Sequence, residues 1–270
     1  MYKFVDPQSN VVSNKVLPSE RLILPDGTTL EELLEGYYQT VSVTGRDLLG
    51  NNVKITEIDG FNGGIITSVN LPVREITVRF RMRAINSQLH NELYTTLKTS
   101  LHQFLDTETE IKFADEPYYY EAVLGDVEQP SEGELNTFGK FTLICADPRK
   151  FIDVPATVSE QVLSVDKSLM GAYYQSELKS VSFTGAGSSS YELVNNATNE
   201  KITFINNVPD GVEVIIDLKN QRVLVGGVDL TAGYISWNSN LETIGKTTTN
   251  GFTLTGNYTN LNGTFRGVAL

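Results

Sequence analysis

The amino-acid sequence predicts a mainly β protein of two domains, with one long α-helix in the first domain. Three observations lead to this prediction. Residues 76–84 alternate apolar and polar side chains with the period of two that is typical of a half-buried strand. Residues 86–105 space their leucines as an amphipathic helix does. Beyond residue 148, short apolar runs separated by turn residues predict a β-sandwich or jelly roll.

The chain is long enough to bury a large core, since it has 270 residues, of which 40% are hydrophobic. The first residues lack the apolar run of a secretory signal, and no stretch approaches a membrane-spanning length. We therefore expect a soluble protein made in a cytoplasm, without membrane insertion. The single cysteine, Cys145, excludes an internal disulfide and a thiolate-rich zinc site.

Negative charge is concentrated in the first half of the chain. Residues 1–148 hold 12 Lys and Arg against 22 Asp and Glu, whereas residues 149–270 hold 9 against 11. Such a balance argues against a protein that coats nucleic acid by neutralising phosphates. It would suit a conduit through which DNA passes without adhering to the wall.

The elements before residue 76 are predicted to be short. Residues 1–27 read as an extended polar segment, and residues 28–36 as a single helical turn. Strands are predicted at 38–43 and 53–58, and the glycine-rich segment 59–64 follows. This segment lacks the spacing of a phosphate-binding or dinucleotide-binding loop, which favours a hairpin turn.

The strand at 76–84 and the helix after it give the clearest pattern. One face of the strand carries Arg79, Arg81 and Arg83, and Asn86 or Ser87 can cap the helix. At about 1.5 Å per residue, the helix spans about 30 Å and covers one face of a sheet. Its apolar stripe comprises Leu89, Leu93, Tyr94, Leu97, Leu101, Phe104 and Leu105.

The remaining elements define a boundary between two domains. Strands are predicted from residue 118 and at 137–146, with an acidic loop at 126–134 between them. Pro148 ends the second strand because proline has no ladder donor, so we place the domains at 1–150 and 151–270. Strands of the second domain are predicted at 181–183, 191–194, 201–205, 212–218, 222–225 and 252–254, with a hairpin at 213–225.

Carboxylates and arginines offer the first candidates for chemistry. Asp106, Glu108 and Glu110 alternate, so an extended chain points all three the same way, as in a calcium site or a glycosidase pair. We favour a solvated face, or partners for the three arginines of the predicted strand on a neighbouring strand. Those arginines allow two readings, ion pairs within the subunit or a contact between subunits.

The histidines, the cysteine and the tryptophan offer further candidates. His90 and His102 lie twelve positions apart on one helix, about 120° apart around its axis, which disfavours a shared metal. Cys145 lies in an apolar run and is predicted to be a buried structural residue rather than a nucleophile. Trp237 with Tyr234 can form a sugar-stacking platform, although we favour a core or turn-packing role.

Several segments in the first half resemble the distal tail proteins of siphophages and prophages of Gram-positive bacteria. They are LEELLEGYYQTVSVTGRDLL (30–49), LPVREITVRF (71–80), the leucine helix, FADEPYYY (113–120) and GKFTLICADP (139–148). In the second half, IIDLKNQRV (215–223) and the two glycines after it resemble the family more loosely, and residues 255–270 match no family segment.

The resemblance implies a tail-tube-like β-sandwich or barrel with a helix at about 86–105 in residues 1–150, and a galectin-like β-sandwich in residues 151–270. It implies a homohexameric ring at the tip of a long non-contractile tail, in the virion. The ring would join the major tail tube protein to tail-associated, fibre or receptor-binding proteins and let DNA pass. No catalytic, cofactor-binding or metal residues carry over, because the family has none.

Two other functions stay open at this level. A carbohydrate-binding module for cell-wall sugars would use the second domain, with Trp237 and Tyr234. A hydrolase would use the acids near Glu108, and is the weakest of the three readings.

Overall fold

The computed structural model describes residues 18–59, 62–128, 135–165, 175–187, 190–246 and 250–269. The predicted extended segment 1–17 and part of the acidic loop, 129–134, lie outside these residues. The described chain is mainly β, as the sequence predicts. It divides into two compact units, one ending at Lys150 and the other running from Phe151 to Ala269. Within the described ranges, no helix is long and apolar enough to cross a membrane.

The first unit contains eight strands and two helices in its described part. In chain order these are β1 (Leu22–Ile23), α1 (Leu30–Leu33), β2 (Tyr38–Thr44), β3 (Asn52–Glu57), β4 (Gly64–Asn70), β5 (Arg74–Arg83), α2 (Ser87–Leu105), β6 (Thr109–Phe113), β7 (Tyr119–Val127) and β8 (Asn136–Cys145).

Six strands of the first unit follow the order β2, β5, β8, β7, β6 and β1, and all the neighbouring pairs are antiparallel. The two ends of β7 have different partners. Its first residues pair with β6, and its second half, from Val123, pairs with β8. The partner changes between Ala122 and Val123, so β7 links two groups of strands. A register shift follows between Leu124 and Val127, within the pairing with β8.

Strand β5 pairs with a strand on each side, β2 and β8. Its inward side chains, Ile76, Val78, Phe80 and Met82, are fully buried, as the alternating pattern requires. Four leucines of α2 join the same core: Leu93, Leu97, Leu101 and Leu105. Each contributes about 1.5 to 3 kcal/mol by burial, so α2 is a main source of the apolar energy of this unit.

Helix α2 begins where a side chain can replace the missing backbone partners of its first turn. Asn86 has an extended backbone, and its Oδ1 accepts a hydrogen bond of 2.8 Å from the amide of Leu89. Of the two predicted caps, Asn86 is therefore the N-cap of α2. The helix runs to Leu105, within the range that the leucine spacing predicts.

Arg74 fastens the start of β5 to two other parts of the unit. Its side chain is fully buried, and its Nε donates to the Pro148 carbonyl at 2.6 Å. Its Nη1 donates to the carbonyls of Gly45 and Asp47 at 3.0 and 2.9 Å. Gly45 has a φ of +93°, and a Cβ there would lie 1.9 Å from the Glu75 carbonyl, so this close approach requires glycine.

A charged network surrounds the same end of the unit. Arg46 donates to Asp115 at 2.7 Å and to Glu116 at 3.1 Å, and it also lies 3.7 Å from Glu20. Lys150 reaches the other oxygen of Glu116 at 3.2 Å. These side chains are 12 to 26% exposed, so water screens them less than surface pairs. The network joins the 115–116 turn to the last residue of the unit.

Replacing Arg74 with leucine tests how much this fastening contributes. The change removes the donors of three backbone carbonyls, so we expect a loss of about 3 to 5 kcal/mol in the free energy of unfolding, the usual scale for a broken buried polar contact. Urea unfolding followed by circular dichroism measures it. Arg79→Leu is the matched control, because Arg79 is exposed on the same strand and its replacement should change stability by no more than about 0.5 kcal/mol. Equal effects of the two substitutions would contradict this assignment.

Adjacent glutamates in α1 have opposite environments. Glu31 is 4% exposed, and its Oε1 accepts from the Thr40 amide at 2.9 Å, while burial raises the pKa of its carboxyl above 4.5. Glu32 is in a capping box: it accepts from the Thr29 amide and hydroxyl at 2.9 Å each. The bond from the Thr29 side chain, followed by that from its amide, lowers the pKa of Glu32.

These two carboxyls should give opposite pH dependences of stability. The stabilising contribution of Glu31 is complete below pH 4.5 and is lost as pH rises through its raised pKa, whereas that of Glu32 is present above pH 4.5 and is lost as pH falls. The difference in unfolding free energy between wild type and Glu31→Gln should therefore fall as pH rises above 4.5. The same difference for Glu32→Gln should fall as pH decreases below 4.5 and should stay level above it. Urea titrations at several pH values measure both, and parallel trends would refute the prediction.

The second unit consists of ten strands with short helical turns in its described part. These are β9 (Lys150–Ser159), β10 (Val162–Val165), β11 (Gln175–Gly185), β12 (Glu192–Asn195), β13 (Lys201–Thr203), β14 (Glu213–Asp217), β15 (Arg222–Val225), β16 (Val228–Asp229), α3 (Thr231–Tyr234), a 3-10 turn (Ile244–Lys246), β17 (Phe252–Thr255) and β18 (Tyr258–Ala269).

The strands of the second unit form one path, in the order β13, β12, β17, β10, β9, β18, β11, β14, β15 and β16. Side chains from both halves of this path meet in a single core, including Leu193 and Phe252 from one half and Phe183 and Ile216 from the other. The predicted hairpin at 213–225 is confirmed, since β14 and β15 pair around the corner at 218–221. Strand β18, which the sequence reading left unassigned, pairs along most of β11.

Candidate assembly and binding surfaces

His90 and Cys145 lie in the interior of the first unit, whereas His102 lies on its surface. The Nε2 atom of His90 lies 3.1 Å from the Thr137 hydroxyl in the interior, while His102 is exposed on α2. Cys145 is buried in β8, and burial raises the pKa of its thiol to about 12. It therefore stays protonated near neutral pH. Across the described ranges, no three His, Cys, Asp or Glu side chains lie together in a way that can hold a metal ion.

The acidic residues do not face the arginines. Asp106 and Glu108 precede β6, and Glu110 lies opposite Glu121 of β7. Among the described strands, the neighbours of β6 are β1 and β7, whereas those of β5 are β2 and β8. Of the two readings of these acids, the pairing with the arginines of β5 on a neighbouring strand is therefore excluded. Asp106 and Glu108 are exposed and Glu110 is half-buried, which agrees with the other reading, a solvated face.

The three arginines also do not form one uniform face. Arg79 is exposed between Ser42 and Lys140. Arg81 is only 4% exposed; its Nε donates to Asn136 Oδ1 at 2.6 Å, and its guanidinium lies 5.9 Å from the Phe138 ring. Arg83 is half-buried. Arg81 is thus held inside its own subunit, and Arg79 is the member of this row that is available to a neighbour.

Strands β3 and β4 form a two-stranded ribbon with an exposed apolar face. Their antiparallel pairing confirms the hairpin interpretation of the glycine-rich segment, of which residues 60 and 61 lie outside the described residues. Val53 is opposite Val69, and Ile55 is opposite Ile66. These four side chains are 47 to 60% exposed. Val53 and Ile55 are two residues apart and share one face of β3. Val69 and Ile66 are three residues apart in β4, and a register shift between Lys54 and Ile55, where β4 has one extra residue, brings Ile66 opposite Ile55.

The ribbon lacks the support that such a structure needs in water. Among the described strands, β3 and β4 pair only with each other. An isolated two-stranded hairpin is marginally stable, and a contiguous exposed apolar patch marks an interaction site. The alternation of Val53 and Ile55 was visible in the sequence, but a periodic pattern does not show whether the apolar face is covered. We refer to residues 52–70 as the ribbon below.

Among the described residues of the second unit, Trp237 is the most exposed large apolar side chain, at 96%. The predicted core or turn-packing role is therefore wrong. It follows Ile235, which is buried, and Ser236, whose amide donates to the Thr203 carbonyl at 2.9 Å. Tyr234 is half-buried against the core, so it does not join Trp237 as an equally open platform. The polar residues at 236 and 238–240 were the sequence signal for an exposed loop.

Comparisons with known proteins agree on one group. Residues 26–144 match the family model of the phage tail protein RIFT-related domain. The distal tail protein of Bacillus phage SPP1 is 27% identical over 216 residues, which are 73% of this chain and 78% of that protein. The crystal structure of SPP1 Dit, titled a paradigm of hub adsorption apparatus, matches with a TM-score of 0.62 at 17% identity, over 93% of this chain and 99% of that chain.

The baseplate of phage p2 provides two further structural matches. In its activated conformation with Sr, one chain matches with a TM-score of 0.55 at 11% identity, over 87% of this chain and 91% of that chain. With Ca, the values are 0.54 and 11%, over 88% and 92%. At such identities, these structures show a shared fold.

The family model matches a part of the first unit, and the relatives and solved structures to which the chain is similar are phage distal tail and baseplate proteins. This similarity agrees with the resemblance that the segments of the first half carry.

Proposed function

We propose that this protein forms a homohexameric ring at the tip of a long non-contractile phage tail. The ring joins the tail tube to tail-associated and receptor-binding proteins, and DNA passes through it. Residues 1–150 build the ring as a tail-tube-like sandwich or barrel, and residues 151–270 form a galectin-like sandwich that projects outward. The observation that carries the proposal is the exposed apolar face of the ribbon in the first unit.

The ribbon supplies a surface that an adjacent copy of the chain can cover. A heterologous contact between identical subunits generates a closed ring when its rotation closes. Fully burying one of the ribbon's isoleucines contributes about 1.5 to 3 kcal/mol, so repeated contacts around a ring sum to a substantial free energy. Covering the face also removes the exposed apolar area of the isolated subunit.

The charge of the first half suits a channel for DNA. Its excess of acidic residues repels phosphates and disfavours adhesion during passage. The relatives support the same placement. The SPP1 protein is named a distal tail protein, its structure is titled as part of a hub adsorption apparatus, and the p2 chains come from a baseplate.

Placing charged side chains on the ribbon tests whether the ribbon forms the contact between subunits of the ring. At high protein concentration, electron microscopy of the wild type should show six-fold rings with a central hole, and light scattering should give about six times 29.8 kDa. Ile55→Asp combined with Ile66→Asp should abolish the ring, because the substitutions place charges where an apolar contact is expected. Both side chains are more than half exposed, so the subunit should keep its circular dichroism spectrum.

The matched control replaces the same two isoleucines with valine. This pair of substitutions keeps the apolar face and should keep the ring. If the double aspartate variant still forms six-fold rings, the ribbon is not the subunit contact. Arg79→Glu tests in the same way whether β5 contributes to the subunit contact, because Arg79 is exposed and Arg81 is not.

A carbohydrate-binding module is the second candidate function, and the exposure of Trp237 favours it. An exposed indole offers a flat apolar face on which a sugar ring can stack. Such binding would reside in the second unit and is compatible with a place at a tail tip.

Trp237→Ala separates sugar binding from a purely architectural role. If Trp237 stacks on a sugar, the wild type should bind isolated Gram-positive cell walls, and the variant should lose at least about tenfold in affinity, the scale of one aromatic contact. Sedimentation with purified walls measures this. Trp237→Phe is the control and should retain part of the binding. Absence of wall binding by the wild type would remove this second function.

A further inference from the structure

We propose that a pocket in the second unit binds a small ligand with an anionic group, a phosphate or a carboxylate on a molecule of monosaccharide size. The pocket has a volume of about 260 Å³. Its walls come from β11, the corner between β14 and β15, the 3-10 turn at Ile244–Lys246, and β18. It involves neither the ribbon nor Trp237, so it is independent of the surfaces discussed above.

Positive charge is concentrated in this pocket. The sequence has seven Lys and Arg between residues 151 and 269, against eleven Asp and Glu. Four of the seven line the pocket: Lys179, Lys219, Lys246 and Arg266. Two acids, Glu177 and Glu242, also line it. In a unit with an acidic balance, four cations from four separate chain segments converge on one concavity. Glu177, Glu242 and Asp153, which pairs with Lys179, offset three of them, so one positive charge remains in excess and attracts an anion.

Ion pairs fix two of these cations in position. Arg266 Nη2 donates to Glu177 Oε2 at 2.9 Å, and its guanidinium lies 4.3 Å from the centre of the Phe151 ring. Lys179 Nζ donates to Asp153 Oδ2 at 2.8 Å. The side chains of Arg266 and Lys179 are 16 and 20% exposed. Their conformations are therefore set before a ligand arrives, which lowers the entropy cost of binding.

Backbone contacts hold the other two cations close to the same strand. The Leu218 amide donates to the Lys179 carbonyl at 3.0 Å, so the corner that carries Lys219 lies against β11. Gly245, beside Lys246, packs so closely that a Cβ would lie 2.6 Å from the Leu178 carbonyl. Any larger residue at 245 would push the turn away from β11. The chain thus brings Lys219 and Lys246 to the pocket through rigid backbone contacts.

The volume and the lining limit the ligand. A space of about 260 Å³ equals about nine water volumes, which suits a single sugar-sized molecule. Leu178, Leu218 and Leu241 add apolar surface beside the cations. This mixture of apolar wall and positive charge fits a compact molecule with one anionic group, because the leucines contact its body and the cations its charge.

Isothermal titration calorimetry of the full chain with three probes tests the proposal. Glucose 6-phosphate and glucuronate carry the two kinds of anionic group, and glucose is the uncharged control. At least one of the two anions should bind in the millimolar range, glucose should bind at least about tenfold more weakly, and added sodium chloride should weaken anion binding. The anion that binds more tightly identifies the preferred group.

Lys219→Gln and Lys246→Gln should each weaken binding of the preferred anion by at least about fivefold, on the scale of one lost charged contact. Both lysines are exposed, so the thermal unfolding midpoint should not change appreciably. Lys201→Gln is the matched control: Lys201 is in the same unit, pairs with Glu192 and does not line the pocket, so the variant should bind as the wild type does. Absence of binding by both anions, equal binding of glucose, or unchanged affinity in both pocket variants would overturn the proposal.

Discussion

The first unit depends on how the buried charge of Arg74 is satisfied. A guanidinium without water needs partners for its donors. The carbonyls of Gly45, Asp47 and Pro148 accept from its Nε and Nη1, while its Nη2 is buried without a hydrogen-bond partner among the described residues. The strand that begins at Arg74 pairs with a strand on each side, and α2 leaves from its other end. The Arg74 side chain therefore holds two segments against β5: the loop after β2, with Gly45 and Asp47, and the segment around Pro148 at the end of the unit.

The sequence predicts the elements whose evidence is local. Alternation along β5, leucine spacing in α2 and the turn between β14 and β15 depend on residues within about one element, and the structure has an element at each place. Which distant strands pair with one another could not be predicted from such local patterns. One of the two readings of Asp106, Glu108 and Glu110 placed them on a strand beside β5, but pairing of strands is decided by the whole core rather than by either strand. Strand β18 was missed because it has few apolar residues before Phe265.

Exposure was the other quantity that the sequence did not provide. The ribbon and Trp237 consist of residue types that usually lie inside, and only the fold shows that they face solvent. The same distinction separates Arg81 from Arg79, which are two residues apart and share a polar pattern. One is enclosed by Asn136 and Phe138, while the other is open. The surfaces that carry the proposed function are therefore exceptions to the average behaviour of their residue types.

The apolar face of the ribbon also has a consequence for temperature. Near 25 °C, the burial of apolar surface is driven mainly by the entropy of water, and it weakens on cooling. The subunits of an assembly that covers Val53, Ile55, Ile66 and Val69 are therefore held together less firmly in the cold than at the growth temperature of a warm host. Charge screening by salt has little influence on such a contact, since these four side chains carry no charge. Chilling, rather than charge screening, is then the mild condition expected to weaken a contact of this kind.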